Sequence, residues 1–319
     1  MTSFCYHHDA CIAHDPGPGH SERAERLTAI VAALRVEALS NLVWPEVPLG
    51  TRAAIERVHE KSYVDFVFNA IPERGQRAIE VNEVVSGHDG GEVTTLSAES
   101  AGALLRNVGS VTAAVDAVAS GQARNAFCLT RPPGHHALSN KAMGFCVFNN
   151  VAIAARHALS AHGYRRIAIV DFDVHHGNGT QQIFAADPSV FFASIHQLPL
   201  WPESGHAHET GIGNVLNVPT APDLPRGQWL ELWRDKVLAR LERETFDFLL
   251  ISTGFDAHKD DPKGNQNLET ADYATITRDL TAVAARRCDG RVVSVLEGGY
   301  DVAASAASAA AHAGALCAA

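Results

Sequence analysis

The residues best suited to chemistry are Asp173, His175 and Asp256, which follow apolar runs of the sequence. Asp173 and His175 are two positions apart, so in extended backbone their side chains point to the same side and could bind one ion. Asp256, at the end of another apolar run, is the natural third ligand. One imidazole and two carboxylates leave a position open for water, which is typical of a catalytic zinc site. Iron(II), cobalt or manganese would accept the same ligands.

Two adjacent histidines, His135 and His136, are the candidates for proton transfer. They follow a Pro-Pro-Gly segment, whose restricted backbone could hold both rings at the floor of a pocket. The sequence offers them two different partners, Asp171 and Asn178. A carboxylate partner raises the pKa of a histidine, whereas an amide only orients the ring. We therefore expect one readily cationic histidine and one neutral general base.

Tyr300 follows a Gly-Gly turn, where unusual backbone can bring a phenol close to a metal ion. Its hydroxyl could donate a hydrogen bond to the oxyanion of a tetrahedral intermediate. A Gly-Gly-Tyr segment alone is more often only a turn. Beside an ion site and two histidines, it favours an amide hydrolase.

The elements that must position these residues indicate an α/β fold with a mainly parallel sheet. Strand-like apolar runs occur at residues 126–129, 167–170, 190–194, 248–252 and 292–296. Helical apolar spacing occurs at residues 98–120, 148–162, 227–243 and 270–287, and an Ala-rich tail predicts a closing helix at residues 303–319. Four of the strands end in Gly-bearing loops with ionisable or phenolic side chains. Ligands bind at the carboxyl ends of parallel strands, so these loops should converge on one pocket.

Composition narrows the class of protein and its partners. The 319 residues are 46% hydrophobic and carry a formal net charge of -10 without a basic run, which argues against nucleic acid as a partner. The sequence shows no membrane span or signal segment, so we expect a cytoplasmic protein. Six cysteines at irregular spacings predict reduced thiols. No linker interrupts the pattern, which predicts a single catalytic domain over residues 1–319.

Taken together, these segments resemble the zinc-dependent histone deacetylases, specifically the class II and bacterial deacetylase-like amidohydrolases. The matching segments follow the family's order and lie at residues 14–20, 131–136, 144–146, 171–179, 254–256 and 297–300. The resemblance implies an arginase-deacetylase fold, in which helices flank a parallel sheet within one domain. It also implies a single zinc ion on Asp173, His175 and Asp256.

The resemblance assigns the catalytic roles as well. It implies that Asp171 backs His135 and that Asn178 backs His136, which makes His136 the general base. Tyr300 matches the family's oxyanion tyrosine. The implied reaction is hydrolysis of an N-acyl amide, with acetyl-lysine-like substrates favoured.

A narrow acyl-lysine channel is implied by three further positions. Phe145 matches one aromatic wall of the family's channel, and Trp201 falls where a second wall is expected. Gly144 could accept close approach of the substrate amide. A slot between two rings suits an extended methylene chain, although either ring could instead be ordinary core.

Two more features of the family map onto this chain. Potassium, bound largely by backbone carbonyls near the zinc, would also use the side chains of Asp171 and Ser194. Arg26 resembles the arginine that lines the family's internal product channel. A surface ion pair is the alternative for Arg26.

Lys263 is the position most informative about which substrate the site prefers. Polyamine-preferring relatives can carry an acidic residue there, which attracts a second ammonium group, and a lysine would repel one. This disfavours acetylpolyamines, although Glu203 or Glu209 could restore attraction from elsewhere.

The alternatives concern both chemistry and substrate. Ureohydrolases share the fold but use two manganese ions, and an acyl-lysine binding protein would have no turnover. The sequence leaves open whether the substrate is an acetyl-lysine peptide, an acetylpolyamine or a small metabolite, and which oligomeric state the chain adopts.

Overall fold

A computed structural model describes residues 2–79 and 93–319 and confirms the α/β prediction. The strands of the described residues are β1 Ser3–Tyr6, β2 Leu42–Val43, β3 Gln76–Ala78, β4 Thr95–Ser97, β5 Asn125–Cys128, β6 Ile167–Asp171, β7 Val190–Gln197, β8 Val215–Thr220, β9 Phe248–Thr253 and β10 Val292–Leu296. Eight of them form one parallel sheet in the order β2-β1-β5-β10-β9-β6-β7-β8, and β3 pairs antiparallel with β4. All five predicted strands are present, as β5, β6, β7, β9 and β10.

The strands that carry the predicted site residues are neighbours. β5, β10, β9 and β6 lie side by side in the middle of the sheet. Because all four are parallel, their carboxyl ends meet at one edge. The four polar loops that follow them therefore converge, as the sequence predicts.

Burial along the whole length of the central strands explains their near-continuous apolar runs. Every residue of β6, β7, β9 and β10 is buried. Helices cover both faces of a parallel sheet, so its strands contain near-continuous apolar runs rather than alternating ones. Alternate residues enter two separate core clusters, one on each face.

The helices of the described residues surround this sheet. They are α1 Ala10–Ala13, α2 Ala24–Leu34, α3 Arg52–Glu56, α4 Lys61–Ala70, α5 Ser100–Ala119, α6 Asn150–His162, α7 Asn178–Phe184, α8 Arg226–Leu232, α9 Ala239–Leu241, α10 Thr270–Arg287 and α11 Val302–Ala318. The predicted helices near residues 98–120, 148–162, 270–287 and 303–319 are α5, α6, α10 and α11. Within the described ranges, no helix is both long and apolar enough to cross a membrane.

The predicted helix at residues 227–243 differs in detail, because a π-helical turn, Trp233–Leu238, separates α8 from α9. Trp229, Trp233, Val237 and Leu241 are all buried and recur every four residues. In a regular α-helix, each such step would turn the side chain by about 40° away from the core. The wider π turn keeps this series on the buried face.

Candidate active site

The three predicted metal ligands meet in one small buried volume at the carboxyl ends of β6 and β9. The Nδ1 atom of His175 lies 3.1 Å from Asp173 Oδ1 and 3.2 Å from Asp256 Oδ2. The three ligand atoms all lie within 4.8 Å of one another. One nitrogen and two oxygens gathered this closely are donors that a catalytic zinc ion accepts. The residues therefore fit the ion that the sequence predicts.

Backbone N–H groups orient both carboxylates. Asp256 Oδ1 accepts a hydrogen bond from the Val174 N–H at 2.8 Å, and Asp173 Oδ2 accepts one from the Gly298 N–H at 2.9 Å. Gly254 and Gly298 approach these carboxylates so closely that a Cβ atom at either position would overlap a carboxylate oxygen. Close packing around the carboxylates thus requires glycine at both places.

The electrostatics of this cluster reflect two carboxylates held close together in the interior. Burial and the negative charge of Asp173 raise the pKa of Asp256 to about 7. Burial opposes ionisation of Asp173 too, but His135 and His175 hold its pKa well below the usual range. Burial would lower the pKa of His175, yet its hydrogen bonds to both carboxylates raise that pKa to about 9. A cation is the natural partner for such a cluster, because it neutralises both carboxylates at once.

The two adjacent histidines have the partners that the sequence predicts. His135 Nδ1 lies 2.9 Å from Asp171 Oδ2, and His136 Nδ1 lies 2.8 Å from Asn178 Oδ1. The ring centroids are 3.9 Å apart. An amide oxygen only accepts hydrogen bonds, so the Nδ1 of His136 carries a proton and its Nε2 has a lone pair available.

The same partners give the two rings opposite electrostatic character. Burial would lower the pKa of His135, but the carboxylates of Asp173 and Asp171 outweigh it and raise that pKa to about 10. Burial and the neighbouring His135 and His175 hold the pKa of His136 well below its usual range. The two rings therefore differ in their affinity for a proton, which suits two different tasks.

Glu297 holds the backbone that carries His135 and His136, a contact that sequence reasoning missed. Its Oε2 accepts hydrogen bonds from the Gly134 N–H at 2.7 Å and the His135 N–H at 3.1 Å, and its Oε1 accepts one from Ser252 Oγ at 3.0 Å. Burial raises the pKa of Glu297 to about 7. The carboxyl group ties β10 to the turn that carries the histidines.

Tyr300 faces the metal ligands, with its ring centroid 6.5 Å from that of His175. Arg26 holds this turn from one side: it donates to the carbonyl oxygens of Gly299 and, at 2.8 Å, Glu297, and its guanidinium carbon lies 4.8 Å from the Tyr300 ring centroid. Arg26 is buried and pairs with Glu22 at 2.9 Å. The surface ion pair considered for Arg26 is therefore wrong, because its partners lie inside the protein.

Asp261 holds the same turn from the other side. Its Oδ2 accepts hydrogen bonds from the N–H groups of Tyr300, at 2.6 Å, and Asp301, at 3.1 Å. Its Oδ1 accepts one from the Lys263 N–H at 2.9 Å. Sequence reasoning missed this role, since it depends on three backbone donors that no side-chain pattern reveals.

The two predicted aromatic walls flank the site. The Phe145 ring centroid lies 6.0 Å from that of Tyr300, and the Trp201 centroid lies 4.7 Å from that of His136. Gly144 has a φ of +55°, and a Cβ atom there would overlap both Trp201 and His136. Gly144 therefore lets the backbone pass beneath the tryptophan.

Contacts behind Trp201 fix the loop that carries it. His176 Nδ1 lies 2.8 Å from Ser204 Oγ, and His196 Nε2 donates to the Gly205 carbonyl oxygen at 3.0 Å. Both histidines are buried. The wall is thus held by residues next to the metal site and on β7.

Lys263 lies beside the Phe145 wall, with its Nζ atom 6.0 Å from the ring centroid. Glu203 and Glu209, the two acidic residues that could attract a second ammonium group of the substrate, differ in whether their carboxylates already have partners. Glu209 accepts hydrogen bonds from Gln181 Nε2 at 2.6 Å and from the His206 N–H at 2.9 Å, whereas Glu203 is exposed. The Glu209 carboxylate therefore stabilises its own loop through these hydrogen bonds.

Asp171 and Ser194, the side chains considered for potassium, are paired across β6 and β7. Asp171 Oδ1 accepts the Asp173 N–H at 3.0 Å, and Ser194 Oγ lies 2.9 Å from His196 Nδ1. Oxygen donors on adjacent strands suit a monovalent cation held mainly by carbonyl groups. Potassium at this place stays a prediction.

Comparison with known proteins gives the relationship. Residues 20–316 match the histone deacetylase domain. The chain is 34% identical over 338 residues to the type-2 histone deacetylase 2 of Dictyostelium discoideum, a match that covers 95% of this chain but spans only 20% of that protein. It is 35% identical over 288 residues to the histone deacetylase-like amidohydrolase of Pseudomonas aeruginosa, covering 88% of this chain and 73% of that protein. The crystal structure of the HDA15 HD domain matches with a TM-score of 0.88 at 30% identity, covering 100% of this chain and 88% of that one. The chain therefore belongs to the histone deacetylase domain family.

Proposed function

We propose that this chain hydrolyses N-acetyl amides, with acetyl-lysine-like substrates favoured, and that its described fold forms one catalytic domain. The observation that carries the proposal is the convergence of the Asp173–His175–Asp256 cluster, the His135–His136 pair and Tyr300 at one sheet edge. Membership of a family whose named relatives include deacetylases and an amidohydrolase supports the same reaction.

A zinc ion held by Asp173, His175 and Asp256 would supply Lewis acidity, which polarises a carbonyl group and lowers the pKa of a water molecule. The other roles belong to this chain's side chains. His136, neutral and oriented by Asn178, accepts the proton of the attacking water at Nε2.

Two side chains stabilise the negative charge that develops on the substrate carbonyl oxygen. Burial raises the pKa of Tyr300 well above its usual value, so the phenol stays protonated and donates a hydrogen bond to the oxyanion. His135, paired with Asp171, places a positive charge beside the same reaction centre. A histidine of the pair then returns a proton to the leaving amine.

The shape of the site favours a linear acyl-amine. Phe145 and Trp201 flank the catalytic groups, and two rings bury a methylene chain while excluding branched groups. Arg26, enclosed behind Tyr300, would line a route for the acetate product.

A fluorogenic acetyl-lysine peptide assay tests this function. We expect turnover that a chelator abolishes and that added zinc restores. Persistent activity in zinc-free protein, or acetyl-lysine binding without turnover by the zinc-loaded protein, would contradict the proposal.

Replacing Lys263 with glutamate should change substrate preference. We expect kcat/KM for an acetylpolyamine, relative to an acetyl-lysine peptide, to rise roughly tenfold at low salt, because the substitution replaces repulsion of a second ammonium group with attraction. The same substitution at Lys259, which pairs with Glu269 at 3.0 Å on the same loop, serves as the control. An unchanged ratio in K263E would show that this position does not select substrate.

Replacing Asp261 with alanine should misplace Tyr300. Alanine has no side-chain acceptor, so the backbone N–H groups of Tyr300, Asp301 and Lys263 all lose the partner that the carboxylate provides. We expect kcat to fall roughly tenfold with zinc content unchanged. In a Y300F background the second change should cost little, since residues that act through one another are not additive. Full additivity would mean that Asp261 acts independently of Tyr300.

A further inference from the structure

A second cluster of metal-ligating side chains lies far from the candidate active site. Asp116 is in the last turn of α5, and His157 and His162 are on α6, which ends at His162. These helix ends lead into the amino ends of β5 and β6. The catalytic residues follow the carboxyl ends of those strands, so the cluster lies at the opposite edge of the sheet.

The geometry of this cluster is compact. The Nε2 atoms of His157 and His162 each lie 2.7 Å from Asp116 Oδ1. The two imidazole rings are 5.9 Å apart at 77°, so their nitrogens approach the carboxylate from different directions. Over residues 2–79 and 93–319, only this group and the catalytic cluster bring three ligand atoms within 4.8 Å of one another.

The surroundings leave room for a cation and favour it. Asp116 and His162 are exposed and line a cleft of about 670 Å³ that also carries Glu46. The carboxyl ends of α5 and α6 present the negative ends of their helix dipoles here. Water can complete the coordination of an ion from this open side.

Arg57 opposes metal binding. Its Nη1 atom lies 3.5 Å from His157 Nδ1, and a guanidinium group only donates hydrogen bonds. This contact favours a lone pair on Nδ1 and therefore a proton on Nε2, the atom directed at Asp116. A metal ion at Nε2 requires that proton to move to Nδ1, so the exposed Arg57 side chain must turn away.

We propose that Asp116, His157 and His162 form a surface site for a divalent transition metal ion such as Ni²⁺ or Zn²⁺. Two imidazoles and one carboxylate are the donors that such borderline ions prefer. The bound ion links α5 to α6 and leaves the residues of the candidate active site untouched. The proposal is independent of the hydrolase function.

Calorimetric titration with Ni²⁺ tests this site on full-length protein that already carries zinc, with zinc content measured before and after. We expect the wild type to bind one more Ni²⁺ per chain than the H157N/H162N double variant, with acetyl-lysine turnover equal in the two zinc-loaded proteins. The matched control is H206N/H208N, which removes another exposed pair of stacked histidines and should keep the additional ion.

Two single variants test the proposed metal site independently of the double variant. D116N keeps both imidazoles but should lose the additional ion, which covers the case in which the double variant folds poorly. R57A should bind Ni²⁺ more tightly than the wild type, because it removes the group that favours the proton on Nε2. Equal Ni²⁺ uptake by wild type, H157N/H162N and D116N would overturn the proposal and leave the cluster as a hydrogen-bonded triad.

Discussion

Replacing Tyr300 with phenylalanine should lower kcat/KM for an acetyl-lysine peptide by about 10²–10³-fold, the usual effect of removing one oxyanion donor. The hydroxyl is the only group that this substitution removes, because the ring itself keeps its packing against Phe145 and Arg26. Tyr300 is not one of the three clustered ligands, so zinc content should match the wild type. The loss should fall mainly on kcat, since the hydrogen bond strengthens as charge develops on the oxygen.

Tyr164 provides the matched control for this change, since it lies just before β6 at the opposite edge of the sheet. Y164F should retain wild-type kcat/KM. If Y300F kept full activity with a full complement of zinc, Tyr300 would not be the oxyanion donor.

Replacing Asp256 with asparagine should reduce both zinc content and activity, with kcat/KM falling below about 1% of the wild type. Loss of a group that only supports a ligand already costs about 10–100-fold, and Asp256 is itself placed as a ligand. The amide oxygen can still accept the Val174 N–H, so the fold should be retained while the NH2 group replaces the oxygen that faces His175.

The control for this substitution is Asp260→Asn, an exposed carboxylate four residues further along the chain. D260N should bind zinc and turn over substrate as the wild type does. Normal zinc content and activity in D256N would remove Asp256 from the ligand set and with it the predicted site.

The sequence predicts the site well where local pattern and sheet geometry agree. Asp173, His175 and Asp256 follow buried strands, and in a parallel sheet such residues must emerge at one edge. Predicting this shared edge does not require knowledge of the strand order, whereas their close approach depends on β6 and β9 being neighbours. That order places β10 and β9 between β5 and β6, although these strands are distant in the chain, and no local signal in the sequence predicts it.

Other parts of the site depend on contacts that side-chain patterns do not encode. Asp261 and Glu297 act by accepting backbone N–H groups from distant loops, and any residue except proline can supply such a donor. The buried partners of Arg26 are Glu22 and two carbonyl groups far along the chain. The sequence around Arg26 therefore does not distinguish an interior role from a surface ion pair. The outer strands β1 and β8, near the two ends of the strand order, were also missed, although their pairing completes the sheet.

The most direct test of the account is the activity of metal-stripped protein as zinc is added back in small steps. We expect acetyl-lysine turnover to rise in proportion to bound zinc and to reach its plateau when the first ion per chain is bound, because the buried three-ligand cluster fills before any exposed site. Full turnover without bound metal, or a requirement for two ions per chain, would contradict the claim that one ion on Asp173, His175 and Asp256 supports the reaction.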